Sequence, residues 1–446
     1  MAGYADAHLG GSEHGLVDNA VGDVEEIIPA KRRVALGLQQ ALVSNAWLDP
    51  IFIASVAGFS AALATNLVTA TFLAAGTVTV VQSTRLVRLP VVQGPSSAFS
   101  PLAIGYYKAG TISAASLGLI IGAGLVFLAA IFGQFARLRR LLSPAVSGTI
   151  ITLVGIALAG FTFMEFFGGI GSPSFATGSS LLLACVTTTV VLVSAALGGT
   201  CRMFGFLIAL IVGDILALCL GMLDFSTVAQ APWIAFPKLL PYGALTFDPA
   251  ITITMCIVFV VAVVEAMGMY EATAKLTGIE LTDRRVNAGI AGEAGGSMLA
   301  ALIGGFGTTA YAQNLGVIRL TGVASRHVVR VAGIIFIVLA FLPKVAAILV
   351  ATPAAIVGGL FLPAAATVVM TGIQMASQDR GSPVKNMVAP LGLMAGLGIP
   401  ALSGALSGGL PQILGEMLGH SIVVGAVTVM IAEIVLVRVP DLLRSR

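Results

Sequence analysis

The sequence predicts an all-α polytopic membrane protein of about fourteen transmembrane segments. Three observations predict it: a composition too apolar for a wetted surface, recurrent long apolar runs, and basic residues gathered on one side. Of 446 residues, 57% are hydrophobic and 10% are charged, against about 25% charged in soluble domains. Apolar runs recur at residues 183–197, 204–223, 251–264 and 422–437, and the alternating strand pattern of an outer-membrane barrel is missing.

The elements follow in chain order. The first thirty residues are polar, Gly-rich and mildly acidic. They lack the charged, apolar and cleavage regions of a signal peptide, so they are expected to form a flexible cytoplasmic tail with a short interfacial piece near 24–28. Loops near 60, 86, 109, 139, 171, 201, 237, 280, 305, 326, 344, 382 and 410 divide the remainder into segments. With the N-terminus inside, nineteen of the 23 lysines and arginines fall inside. Lys108, Lys238 and Lys344 fall outside, and Arg319 lies within a segment. Positive-inside bias sets orientation, so both termini are expected in the cytoplasm. The longest linkers, 223–249 and 402–418, read as interfacial loops or short helices. Cys185, Cys201, Cys219 and Cys256 have no pairing or metal-ligand spacing and read as small apolar core residues.

Two segments are too broken to span as plain helices. One is "LPVVQGPSSAFSPLAIGYY" (89–107), where β-branched residues precede Gly94-Pro95 and a second break at Pro101. The other is "GGFGTTAYAQNLGVIRLTG" (304–322), where glycines and threonines give way to helical spacing. They are the third and tenth segments, hence the third of each half if fourteen divide as 7+7. Discontinuous segments at matching positions of two inverted repeats are the best sequence pointer to a transporter binding site. Their free backbone groups survive at membrane depth only against protein or a watery cavity. The amides around Ser96, Ser97, Ala98 and Phe99 should therefore face those around Ala310, Tyr311, Ala312 and Gln313, with two helix N-termini aimed at one point.

Acids inside apolar runs are functional candidates, because a charge at the bilayer centre costs a few kcal/mol. A carboxyl removed from water favours its protonated form, which suits a proton carrier. Glu265, in "VVAVVEAMGMYEATAKLTG", is the foremost candidate, and Glu293 is the second. Asp214 and Glu433 read as structural, Asp49 is left open, and Arg319 reads as snorkelling to the cytoplasmic surface. No catalytic triad, phosphate loop or zinc spacing is present in the sequence, so no enzyme, metal, cofactor or nucleic-acid partner is expected.

The stretch "QNLGVIRLTG" (313–322) resembles the signature of the nucleobase–ascorbate transporters (nucleobase:cation symporter-2), Q/E-N-x-G-x-x-x-x-T-R/G, at Gln313, Asn314, Gly316, Thr321 and Gly322. "VVEAMG", "GEAGGSMLAALIGGF", "SPAVSGTIITLVGIAL" and "ATPAAIVGG" resemble other stretches of that family. The resemblance implies seven-plus-seven inverted repeats, with cytoplasmic tails at 1–34 and 439–446. It places a core domain at 35–142 (segments 1–4) and 250–343 (segments 8–11). The gate domain falls at 143–249 (segments 5–7) and 344–438 (segments 12–14). It further implies substrate between short strands of segments 3 and 10, elevator-type alternating access, a homodimer in the cell membrane, and proton or sodium coupling. On that pattern Glu265 binds a ring N–H and couples to the proton, with Glu293 assisting. Gln313 and Asn314 read the base, and Ser97 and Ala98 belong to the contacting strand. Gln at 313 and Gly at 322 look like the xanthine and urate members; uracil and ascorbate members carry Glu at the first of these. The competing expectations are uracil or another nucleobase or ascorbate-like substrate, or an anion carrier of the same architecture. The sequence departs from the pattern at Gln40, Asp49, Pro95, Ser97 and Met269, the last standing where His or Asp is frequent.

Overall fold

The computed structural model describes residues 22–135, 143–311, 313–378, 384–402, 405 and 409–440. Ala312, most of the N-terminal tail, the end of the C-terminal tail, and Arg137, Arg139, Arg140 and Arg380 of the inside set lie outside the described residues.

The described chain is mostly helix. It runs α1 (Ala30–Val43), α2 (Leu48–Ala57), α3 (Ala61–Thr84), β1 (Gln93–Pro95), a 3-10 turn (Ser97–Phe99), α4 (Ser100–Lys108) and α5 (Ile112–Ile131). Next come α6 (Pro144–Ala157), α7 (Ala159–Phe166), α8 (Gly178–Leu197), α9 (Gly199–Cys219) and α10 (Ser226–Gln230). Then follow α11 (Pro249–Thr277), α12 (Asp283–Leu302), β2 (Thr308–Ala310), α13 (Gln313–Thr321), α14 (Arg326–Ala340) and α15 (Pro343–Val350). The chain closes with α16 (Ala354–Ala376), α17 (Val388–Ala401), α18 (Gln412–Leu418) and α19 (Ser421–Glu433). Among the described residues eight helices are long and apolar enough to cross a membrane, or nine if α14 and α15, bent by 85°, form one span. The protein is a multi-pass membrane protein.

Local chemistry starts and stops these helices. Ser143 before Pro144, and Asp248 before Pro249, accept backbone N–H bonds three residues on, at 3.3 and 3.0 Å. Such caps satisfy orphan donors, and proline at the first position forfeits no hydrogen bond. Gly278, at φ 67°, ends α11 in the left-handed conformation.

The helices pack in two sets. α3 lies on α14, α1 on α14, and α5 on both α11 and α12; α15 packs on α3. In the second set α16 lies on α6, α7 and α8, α17 on α19, and α8 on α9. Small residues make the closest contacts: a Cβ added at Gly76 would strike the backbone of Gly333, and one at Gly372 that of Thr152. Packing rather than water exclusion joins helices in lipid, so close backbone approach is favoured.

One expectation is corrected here, that of the cysteines, and two placements are new. Residues 24–28 lie against the protein. Val24 and Ile28 are each 2% exposed, and Val24 packs on Ile318 and Ala324. The N–H of Arg326 donates to Val24 O at 3.0 Å, and Glu25 pairs with Arg88 (2.7 Å) and Arg326 (2.6 Å). The cysteines are not core: Cys185, Cys201 and Cys219 are exposed and Cys256 half-buried. An apolar side chain need not turn inward when the surroundings are as apolar as the interior. Finally, the first segment is itself broken, between α1 and α2, where Asn45 has φ 56°, a left-handed conformation that asparagine tolerates.

The cations sort by end. Arg88 and Arg326 meet at Glu25, beyond the C-terminus of α3. Near its N-terminus, about 36 Å away along the helix, the N–H of Lys238 donates to Asn66 and Lys344 lies over the Trp233 ring.

Candidate functional site

β1 and β2 are three residues each and pair antiparallel, with Gln93 opposite Ala310, Gly94 opposite Thr309 and Pro95 opposite Thr308. The pairing extends by Ser96 N to Gly307 O (2.8 Å) and Tyr311 N to Val92 O (3.0 Å). Gly94 is required here, because a Cβ would occupy the Tyr311 ring. Ser97 and Ala98, expected in the strand, follow it instead in a 3-10 turn. Past the Ser96 contact the chain turns, and the Ser96 hydroxyl accepts from Ala98 N at 3.4 Å as the cap of that turn.

Two carboxylates meet consecutive serines at this strand end. Glu265, half-buried in α11, accepts from Ser96 Oγ at 2.9 Å. Asp49, in the first turn of α2 and 7% exposed, accepts from Ser97 Oγ at 2.9 Å. The Tyr311 hydroxyl lies 3.2 Å from Asp49 Oδ2 and 2.8 Å from Pro95 O. Elements from both halves of the chain thus converge: α2 and β1 from the first, α11 and β2 from the second.

The remaining expected residues divide. Ala98 and Phe99 are fully buried, the Phe99 ring facing Phe259 with centroids 6.4 Å apart. Gln313 opens α13 and is exposed, whereas Asn314 is 1% exposed. Asn314 Nδ2 donates to Gln40 O (3.0 Å) and Gln40 Oε1 (2.5 Å), so this amide ties α13 to α1 instead of pointing with Gln313. Glu293 lies one layer deeper, behind β2. It accepts from Tyr270 OH at 2.6 Å, and Gln82 Nε2 donates to Tyr270 Oη at 2.9 Å and Gly289 O at 2.7 Å. Thr308 Oγ1 reaches Glu293 O at 3.3 Å. Arg319 is exposed. Asp214 accepts from Thr352, and Glu433 accepts from Ser143 and pairs with Arg438 at 3.3 Å.

The sequence reading gave the Ser96 side chain no role and left Asp49 open. An Asp-Pro pair inside an apolar stretch is a helix-start signal that marks the break before α2. It also left out Glu165, buried in α7 and hydrogen-bonded to Ser55 of α2. These two border a cavity of about 610 Å³ that reaches Lys108, Ser172 and Pro353. No group of His, Cys, Asp and Glu suited to a metal occurs among the described residues.

The arrangement offers hydrogen-bond acceptors from two carboxylates, hydroxyls from two serines and a tyrosine, and an exposed amide, at the mouth of a two-stranded pairing. Such a set suits a small polar ring presenting both N–H and C=O groups.

Comparison with known proteins agrees. Residues 31–404 match the model described as Permease family. The uric acid permease PucK of Bacillus subtilis (strain 168) is 31% identical over 90% of this chain and 94% of its own. The xanthine permease of the same organism is 30% identical over 91% and 93%. Among solved structures, the murine Slc26a9 anion transporter in its inward-facing state superposes with a TM-score of 0.65. It is 13% identical over 93% of this chain and 69% of that one, a likeness of fold alone. The chain belongs to the permease family whose signature residues 313–322 carry, the nucleobase–ascorbate transporters.

Proposed function

We propose that this permease moves an oxidised purine, xanthine or urate, by proton symport across the cell membrane, with both termini in the cytoplasm. The observation that carries the coupling is Glu265, an acid within a long apolar helix, hydrogen-bonded to Ser96 beside the strand pairing. A carboxyl there can accept a ring N–H when charged and carry a proton when neutral. Gln313, exposed at the start of α13, supplies a donor and an acceptor for the opposite edge. The family membership and the uric acid and xanthine permeases among the relatives support the substrate class.

The symmetry supports fourteen segments in inverted repeats. Each strand is followed by a nine-residue helix, α4 or α13. Nine residues reach about 13 Å, short of the roughly 30 Å hydrocarbon core. The two packing sets support a core domain that carries the strands and a gate domain beside it, moving past each other as an elevator. A homodimer follows from the family resemblance.

Thermal shifts of the purified protein with xanthine, urate, uracil, ascorbate and sulfate test the substrate. A ligand stabilises the folded state as its concentration exceeds Kd, so xanthine or urate should raise Tm most. A shift with sulfate alone would instead favour the anion-carrier reading. In accumulation assays a protonophore should collapse uptake and sodium removal should not; the reverse result would assign the coupling to sodium.

A further inference from the structure

We propose that Asp49 is a second proton-carrying carboxylate of this site, with Ser97 and Tyr311 as its hydrogen-bond partners. The role of that proton in coupling rests on the transport reading above; the protonation itself does not.

The hydrogens around Asp49 are fewer than the contacts they must fill. A tyrosine hydroxyl has one hydrogen to donate. Tyr311 faces two acceptors, Pro95 O at 2.8 Å and Asp49 Oδ2 at 3.2 Å. The hydroxyl of Ser97 is already directed at the other carboxylate oxygen, Asp49 Oδ1. If Tyr311 donates along the shorter contact, to Pro95 O, its contact with Asp49 holds a hydrogen only when Asp49 supplies one. Protonation on Oδ2 then satisfies every member: Ser97 donates to Oδ1, Oδ2–H donates to Tyr311 Oη, and Tyr311 donates to Pro95 O. A buried, partly satisfied network is costly, and Asp49 is 7% exposed.

The titratable groups that face Asp49 are Tyr311 and Glu265 of α11, the latter near enough for its charge to repel that of Asp49. α2 packs on α3, α4, α7, α15 and α16. Of these α3 and α16 carry no ionisable charge. Glu165 of α7 meets α2 at Ser55, Lys108 ends α4, and Lys344 lies over Trp233. On deprotonation the hydrogen leaves Oδ2, and the Tyr311 hydroxyl turns from Pro95 O to the new carboxylate. The last residue of β1 thereby loses a hydrogen bond, which links the protonation of Asp49 to the strand pairing that frames the site.

Infrared titration of the substrate-free full chain tests this without any ligand. The wild type should show a carboxylic-acid C=O band that disappears in D49N and persists in E265Q. Identical spectra for wild type and D49N across the titration would overturn the proposal. Should D49N fail to fold, Tyr311→Phe keeps the ring and removes the oxygen that accepts the proton. That band should then move, and an unmoved band counts against the proposal. A second arm measures xanthine Kd against pH. One linked proton changes Kd by about tenfold per pH unit, so the slope should fall by about one proton in D49N. An unchanged slope would overturn the coupling role. If the wild type binds no nucleobase, the transport reading fails while the infrared titration still decides Asp49.

Discussion

Replacing Gln313 by Glu separates base reading from helix stability, because the two effects have opposite signs. Gln313 is the first residue of α13 and is exposed, so the substitution leaves no buried partner behind. A carboxylate in the first turn of a helix is stabilising, by about 0.3–1 kcal/mol, and exposed substitutions otherwise stay within roughly 0.5 kcal/mol. Thermal stability without ligand should therefore be unchanged or slightly raised. Binding should suffer: Gln→Glu converts the amide donor into an acceptor, and a ligand C=O would face a carboxylate oxygen. Such a mispaired group costs about 1–3 kcal/mol, or roughly 5- to 150-fold in Kd. The assay is equilibrium binding of xanthine and urate, with Tm measured in parallel. Gln313→Asn, which withdraws the amide without changing its chemistry, should weaken binding in the same direction. Wild-type affinity in both variants would refute the assignment and leave Gln313 as the opening residue of a helix.

Three further outcomes follow from the geometry. Gly94→Ala drives a Cβ into the Tyr311 ring; overpacking of this kind costs about 1–3 kcal/mol, and both Tm and substrate binding should fall. Asn314→Ala leaves Gln40 without its donor and should lower Tm more than Gln313→Ala does, the reverse ranking holding for Kd. Glu25→Gln weakens the ion pairs that hold residues 22–28 against α14. The Arg326 guanidinium, and after it Arg88, holds the Glu25 carboxyl below its ordinary value of 4.5. The contribution is therefore present above that value and drains away as pH falls through the lowered one. It is worth at most about 1 kcal/mol for exposed pairs, and hydrogen exchange of residues 22–28 against pH should lose that acid limb in the variant.

Periodicity and charge carried much of the architecture. Basic residues spaced far apart in sequence, Arg88 and Arg326, meet at Glu25 at one end of the protein. Gly94-Pro95 and the glycines before Thr308 marked where backbone leaves the helix, and both stretches contain a strand. What the sequence concealed depends on tertiary pairing. Ser97 was assigned to the strand because the strand's end is set by register and by the Ser96 cap of the following turn, neither of which shows in hydropathy. Asp49 was left open because the break before it is a left-handed backbone conformation at Asn45. The adjacent amides of Gln313 and Asn314 looked alike, yet a helical step turns one outward and the other onto Gln40. The packing of Val24 was not legible because its partners, Ile318 and Ala324, come about three hundred positions later. Ala312, expected beside the substrate, lies outside the described residues.

The central claim, that Glu265 couples nucleobase movement to protons, is tested most directly in proteoliposomes with a pH gradient imposed across the membrane. The measurement compares gradient-driven xanthine uptake with xanthine exchange at equal pH, in wild type and Glu265→Gln. The wild type should accumulate xanthine against its gradient, with protons entering alongside. The variant should lose accumulation completely while retaining whatever exchange its weakened binding permits. Accumulation by Glu265→Gln, driven by the pH gradient at the wild-type proton-to-xanthine ratio, would contradict the assignment and move the coupling proton to another group.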